Sequence, residues 1–140
     1  MTNNGVANFR APEVRSRSLY IDYAAADIYS LGIILFILHS GVYPYVEGKL
    51  LNGVNLFETL HLNPKKFWDV HNDLKSDFVH CDNELQELFH MMTKANIEDR
   101  ATIQDIKESK WYKGKTFSKK DLATHLKKLK VRNILKKSSP

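Results

Sequence analysis

An all-α domain with a basic helical tail at its C-terminus is the fold class that the 140 residues predict, and three observations carry it. Residues 23–39 are apolar with helical spacing, two later segments open on helix-capping residues, and no segment sustains the alternation of a strand. The composition suffices for one buried core, since 43% of the residues are hydrophobic and 11% aromatic.

The elements follow in chain order. In 23–39, Ile28, Leu31, Leu35 and Leu38 fall on one stripe and Ile34 and Ile37 widen it, so a helix buried on most sides is expected. Asp27 lies near its front, where a carboxylate suits the positive end of the helix and can accept backbone hydrogen bonds. Ser40, Gly41 and Pro44 end it, because glycine permits a left-handed cap and proline cannot continue the helix. Between Tyr45 and Asp82 the pattern weakens: residues 56–60 suit a short helix, Asn63-Pro64 a turn, and Phe67-Trp68 a hydrophobic plug. A second long helix is expected over 83–94, capped by Asp82, with Leu85, Leu88, Phe89 and Met92 on one face. A third begins after Ala101 with Thr102 as cap and Asp105 in the capping-box position, carrying Ile103 and Ile106 toward Trp111.

Charge divides the chain near Lys110. Residues 1–109 hold 10 Lys and Arg against 15 Asp and Glu, a net −5, whereas residues 110–140 hold 11 against Asp121 alone, a net +10. That pattern suits an acidic body with a basic tail and disfavours a domain built for nucleic acid. Within the tail Leu122, Leu126 and Leu129 share a face that Val131, Ile134 and Leu135 leave, so a helix packed on the body with a solvated basic side is expected rather than one lying on a membrane. The longest apolar run, 31–38, is short of the roughly 18 residues a span needs, and no membrane insertion is expected. The first ten residues carry no secretory pattern and Cys81 is the single cysteine, so an intracellular, cytoplasmic setting is the default expectation. No metal-ligand spacing and no nucleophile signature surrounds the six histidines.

Three separated segments resemble the lower lobe of eukaryotic protein kinases. Phe9-Arg10-Ala11-Pro12-Glu13-Val14 is similar to the Ala-Pro-Glu motif that closes the activation segment. Asp27-Ile28-Tyr29-Ser30-Leu31-Gly32 resembles Asp-x-Trp-Ser-x-Gly, and Gly41-Val42-Tyr43-Pro44-Tyr45 resembles Gly-x-Pro-Pro-Phe. Asp99-Arg100-Ala101-Thr102, with Trp111 beyond it, is similar to the late Arg-x-Thr segment. The resemblance covers about residues 5–111 and implies a partial kinase domain over 1–116 followed by a tail over 117–140.

The resemblance also implies roles. Ala11, Pro12, Glu13, Asp27, Gly32 and Arg100 become structural positions, with Glu13 and Arg100 as the two ends of an ion pair that anchors the activation segment. Asp27 would meet backbone amides of the catalytic loop. Gly5, Val6, Phe9 and Arg10 would form part of a substrate-docking loop. Val6 stands where serine/threonine kinases carry a threonine whose hydroxyl bonds the catalytic aspartate and lysine, so the parent activity would be impaired there. ATP and Mg²⁺ belong to a complete parent kinase, probed by a Gly-rich loop, a strand lysine, His-Arg-Asp and Asp-Phe-Gly; none of these occurs in the 140 residues. No catalytic, cofactor or metal residue is therefore assigned, and the chain alone is expected to be inactive and to self-associate through its apolar helix. A protein substrate or regulator is the expected partner class. The alternatives are a non-catalytic, pseudokinase-like interaction module and a basic-tail binder of nucleic acid or anionic surfaces, with nucleic acid the less expected partner.

Overall fold

The computed structural model describes residues 7–74 and 79–137. Its helices in order are α1 (Pro12–Arg15), α2 (Tyr23–Ser40), α3 (Leu56–Leu62), α4 (Pro64–Asn72), α5 (Asn83–Met92), α6 (Ile103–Glu108) and α7 (Lys119–Lys137). Among the described residues there is no strand, only an antiparallel bridge between Leu51 and Val54 across Asn52 and Gly53, both at positive φ. The chain is all-α, as its pattern predicts.

α2 is the axis of the body. Its N-cap is Asp22, whose carboxylate accepts from the Ala25 amide, and Gly41 at φ 79° closes its other end by donating to the Ile37 carbonyl. Asp27 is thus not the helix-opening carboxylate: it lies a turn inside the helix and is exposed. Ala26, Tyr29, Ile33, Phe36 and Ser40, at helical spacing, form the buried stripe. Phe36 packs its ring against Phe67, Trp68 and Phe89, with centroids 5.0–6.0 Å apart. Gly32 lets α5 approach closely, since a Cβ there would stand 3.0 Å from the Met92 Cβ and the Thr93 Cγ2. α2 is long and apolar enough to cross a membrane by length and composition, and its stripe of Ala26, Tyr29, Ile33, Phe36 and Ser40 is buried in the body.

The expectation that α2 is buried on most sides needs correction. Leu31, Ile34 and Leu38 are 45%, 41% and 79% exposed and continue the stripe that begins at Asp27. α4 packs on the opposite side through Phe36, and α5 packs on the flank that holds Ile28 and Gly32, which leaves this stripe exposed. Of the expected stripe Ile28 is buried and Leu35 packs partly buried against the core, whereas Leu31 and Leu38 are exposed, because an all-apolar helix offers no polar side from which to infer the other.

Asn63 both ends α3 and caps α4, and Pro64 takes the first helical position, where its missing amide costs nothing. The Phe67-Trp68 plug is therefore part of a helix that the sequence reading did not include, with Phe67, Trp68, Val70 and His71 buried. α5 keeps the expected Asp82 cap and buried face but ends at Met92, where Thr93 turns its hydroxyl back to the Phe89 carbonyl. α6 has its capping box between Thr102 and Asp105; Ile106 and Trp111 both pack on the cluster of Ile28, Leu88, Met92 and Ala101, whereas Ile103 is exposed. The tail also departs from expectation. Residues 119–129 of α7 are all exposed, so their leucine face does not pack on the body.

Candidate functional site

The site is a junction of three segments, and it begins with local backbone chemistry. Ala11 is extended and Pro12 fixes the first residue of α1, a single turn that directs Glu13 inward to 8% exposure. Ser18 donates its amide back to the Glu13 carbonyl at 3.0 Å, closing the turn behind it. Arg100 approaches from the loop between α5 and α6, which is folded on itself by an Arg100 amide to Ile97 carbonyl bond and tied to α5 by the Ala101 amide to the Met91 carbonyl.

A guanidinium has five N–H donors in a fixed plane, and here each has an acceptor. Nη1 donates to Glu13 Oε1 and to the Ala25 carbonyl of α2, both at 2.8 Å. Nη2 donates to Glu13 Oε2 at 2.9 Å and to the Ala95 carbonyl at 3.4 Å. Nε donates to the Lys94 carbonyl at 2.9 Å. The Arg100 and Glu13 side chains are 0% and 7% exposed, and the guanidinium carbon stands 5.2 Å from the Tyr29 ring centre. Burial pushes the Glu13 carboxyl up, but the hydrogen bonds from Arg100, one within Glu13's own backbone and the Arg100 charge together outweigh it, leaving the pKa below 4.5. The carboxylate is ionised at neutral pH. One arginine therefore ties α1, the first turn of α2 and the α5–α6 loop together.

Further contacts hold the segment before α1. Ser30 donates to the Phe9 carbonyl at 2.8 Å, the Phe9 ring meets Tyr43 edge-on at 6.2 Å, and Asn8 accepts from the Glu47 amide at 2.8 Å. Arg15 pairs with Glu47 at 3.0 Å and lies 3.8 Å over the Phe57 ring of α3. Beside the junction the hydroxyls of Tyr45 and Tyr29 are 3.2 Å apart, and Tyr29 lies 3.3 Å from His61 Nε2. His61 Nδ1, 2.8 Å from the Phe57 carbonyl, carries the proton in the arrangement that lets Nε2 accept from Tyr29. Tyr29 and Tyr45 occupy the positions at which the kinase pattern has Trp and Phe. The two departures meet each other through their hydroxyls.

The model of the protein kinase domain matches residues 1–112. The chain belongs to the protein kinase family. Similar relatives include CBL-interacting protein kinase 26 of Oryza sativa subsp. japonica, 33% identical over 112 residues, which covers 80% of this chain and 20% of that protein. Serine/threonine-protein kinase SRK2A of Arabidopsis thaliana is 31% identical over 108 residues, 77% of this chain and 28% of the relative. CBL-interacting protein kinase 11 of Oryza sativa subsp. japonica is 30% identical over 112 residues, with 80% and 20% covered. The chain thus spans between a fifth and just over a quarter of these relatives.

Of the positions named from the sequence of this kinase-family chain, the structure brings Ala11, Pro12, Glu13 and Arg100 to one place. Gly32 lies on the α2–α5 contact and Asp27 on the exposed stripe of α2. Phe9 and Arg10 are half-buried beside the junction, and Gly5 and Val6 lie outside the described residues. The sequence reading missed the carbonyls of Ala25, Lys94 and Ala95, for which no side-chain signal exists. It also missed the Tyr45–Tyr29–His61 chain, whose only signal was the pair of departures from the family pattern. Among the described residues no three His, Cys, Asp or Glu side chains converge in a way that could hold a metal ion.

Proposed function

We propose that this chain is the anchoring, substrate-side part of a kinase that in complete form transfers the ATP γ-phosphate to protein serine or threonine, and that alone it neither binds Mg-ATP nor transfers phosphate. The observation that carries the reading is the saturated Arg100 guanidinium, which fixes the end of the activation segment to α2 through Glu13 and the Ala25 carbonyl. Preorganisation of this segment is what a phosphoryl-transfer enzyme needs on the side where the protein substrate sits. The serine/threonine assignment is supported by the names of the relatives. Nucleotide and magnesium ligands are expected from other parts of a parent kinase, a reading supported by the absence of a Gly-rich loop, His-Arg-Asp and Asp-Phe-Gly from the 140 residues. The exposed Leu31, Ile34 and Leu38 stripe favours self-association of the chain when it is made alone. Calorimetric titration of the purified chain with Mg-ATP tests inactivity, and an affinity in the micromolar range would overturn it.

A second reading, a non-catalytic module that binds proteins, is favoured by one feature. Tyr43, Val46, Leu50, Leu51, Leu56 and Leu74 line an apolar groove of about 450 Å³ beside the junction, and Leu50 on its rim is 66% exposed.

A further inference from the structure

We propose that Thr116 is a phosphorylation site for a protein kinase that reads basic residues. Thr116 lies in the linker between the Trp111 turn and α7, where residues 115–117 are exposed, lack helical or turn structure and make no backbone hydrogen bond among the described residues. A segment in this state can be drawn into a partner's cleft without breaking secondary structure. Around it the sequence is Lys113-Gly114-Lys115-Thr116-Phe117-Ser118-Lys119, placing cations at the third position before, the first before and the third after the hydroxyl. Phe117, next in the chain, is 61% exposed. Kinases select substrates by such charge patterns, because carboxylates in the peptide cleft form charge-assisted bonds with the flanking cations.

The neighbouring hydroxyls are less available. Ser118 is the cap of α7, donating to Asp121 Oδ2 at 2.6 Å and accepting from the Asp121 amide at 3.1 Å. Thr124 sits within α7 and donates to the Lys120 carbonyl at 3.0 Å. In the proposed step Thr116 Oγ1 forms a bond to the γ-phosphorus of Mg-ATP as the bond to the β,γ-bridging oxygen breaks. ADP leaves, and the hydroxyl proton passes to the acting kinase's carboxylate base. The product adds about 1.5 to 2 negative charges at pH 7, on a linker that lines a groove together with Asp82 and Glu84. Like charge there drives the linker away from the start of α5.

The test treats the full chain with Mg-ATP and the catalytic domain of a serine/threonine kinase that prefers cations at these positions, followed by peptide mass mapping. One phosphate on Thr116 is expected, retained in Ser118→Ala and lost in Thr116→Ala. Replacing Lys113 and Lys115 together by Gln should lower kcat/KM about tenfold or more, the loss of one or two charge-assisted hydrogen bonds. No incorporation, phosphate confined to Ser118, or a rate indifferent to Lys113 and Lys115 would overturn the proposal.

Discussion

Arg100→Ala is the perturbation that the structure makes most consequential. It removes both bonds to Glu13 and the donors to the Ala25, Lys94 and Ala95 carbonyls. Lys94 and Ala95 are exposed, so their carbonyls regain water and cost little. Glu13 does not: at 8% exposure its carboxylate would remain buried without a cation. Breaking a buried pair from one side costs about 3 to 5 kcal/mol, a large part of an ordinary domain stability of roughly 5 to 15 kcal/mol. Arg100→Lys should recover only part of the loss, since one ammonium cannot span two carboxylate oxygens and carbonyls on two sides. Urea melts of the wild type, Arg100→Ala, Glu13→Gln and the double variant measure these costs and their coupling. A loss below about 1 kcal/mol for Arg100→Ala, the value of a solvated pair, would refute the reasoning.

Other expectations follow from neighbouring contacts. His90 accepts the Trp68 indole N–H at 2.7 Å, and burial, then the Lys94 and His61 charges, lower its pKa to about 4. Its folded pKa lies below the unfolded 6.5, so the unfolded chain binds the extra proton and stability is lost as pH falls from 6.5 toward 4. His90→Gln should flatten that loss in urea melts at pH 7 and pH 5, and an unchanged slope would exclude it. Glu13, whose pKa is lowered, contributes stability present above its unfolded 4.5 and lost as pH falls through its folded value; Glu13→Gln should remove that acid-limb loss in melts below pH 5. Tyr29→Phe leaves the Tyr45 hydroxyl and His61 Nε2 without their shared partner and should cost about 1 to 3 kcal/mol by thermal melt. Gly32→Ala gains about 1 kcal/mol of helix propensity but presses on Met92 and Thr93, an overpacking cost of about 1 to 3 kcal/mol. A net stabilisation would show that the α2–α5 contact is looser than described.

Sequence chemistry revealed the helices whose ends carry their own signals. Asp82, Thr102 and Gly41 cap where their residue types suggest, because capping is settled within four residues. α4 escaped despite Asn63-Pro64 at its start, since two adjacent aromatics dominate so short a segment and Phe67, Val70 and His71 fit its helical spacing only when the cap is read with them. The buried side of α2 was not legible because leucine and isoleucine occur on both sides, and only the placement of α4 and α5 decides between them. The tail leucines had helical spacing, but spacing does not say whether a docking surface exists. At the site, Glu13 and Arg100 are 87 residues apart and were linked only through family resemblance; their carbonyl partners are backbone groups that any residue supplies.

The central claim, that Arg100 is a buried and saturated bridge to Glu13, is tested most directly by ¹⁵N-resolved NMR of the arginine side chains near neutral pH. The structure predicts separate, slowly exchanging Nη and Nε proton signals for Arg100 that collapse in Glu13→Gln, beside averaged, rapidly exchanging signals for the exposed Arg17. An Arg100 guanidinium that exchanges as fast as that of Arg17, and is indifferent to Glu13→Gln, would contradict it.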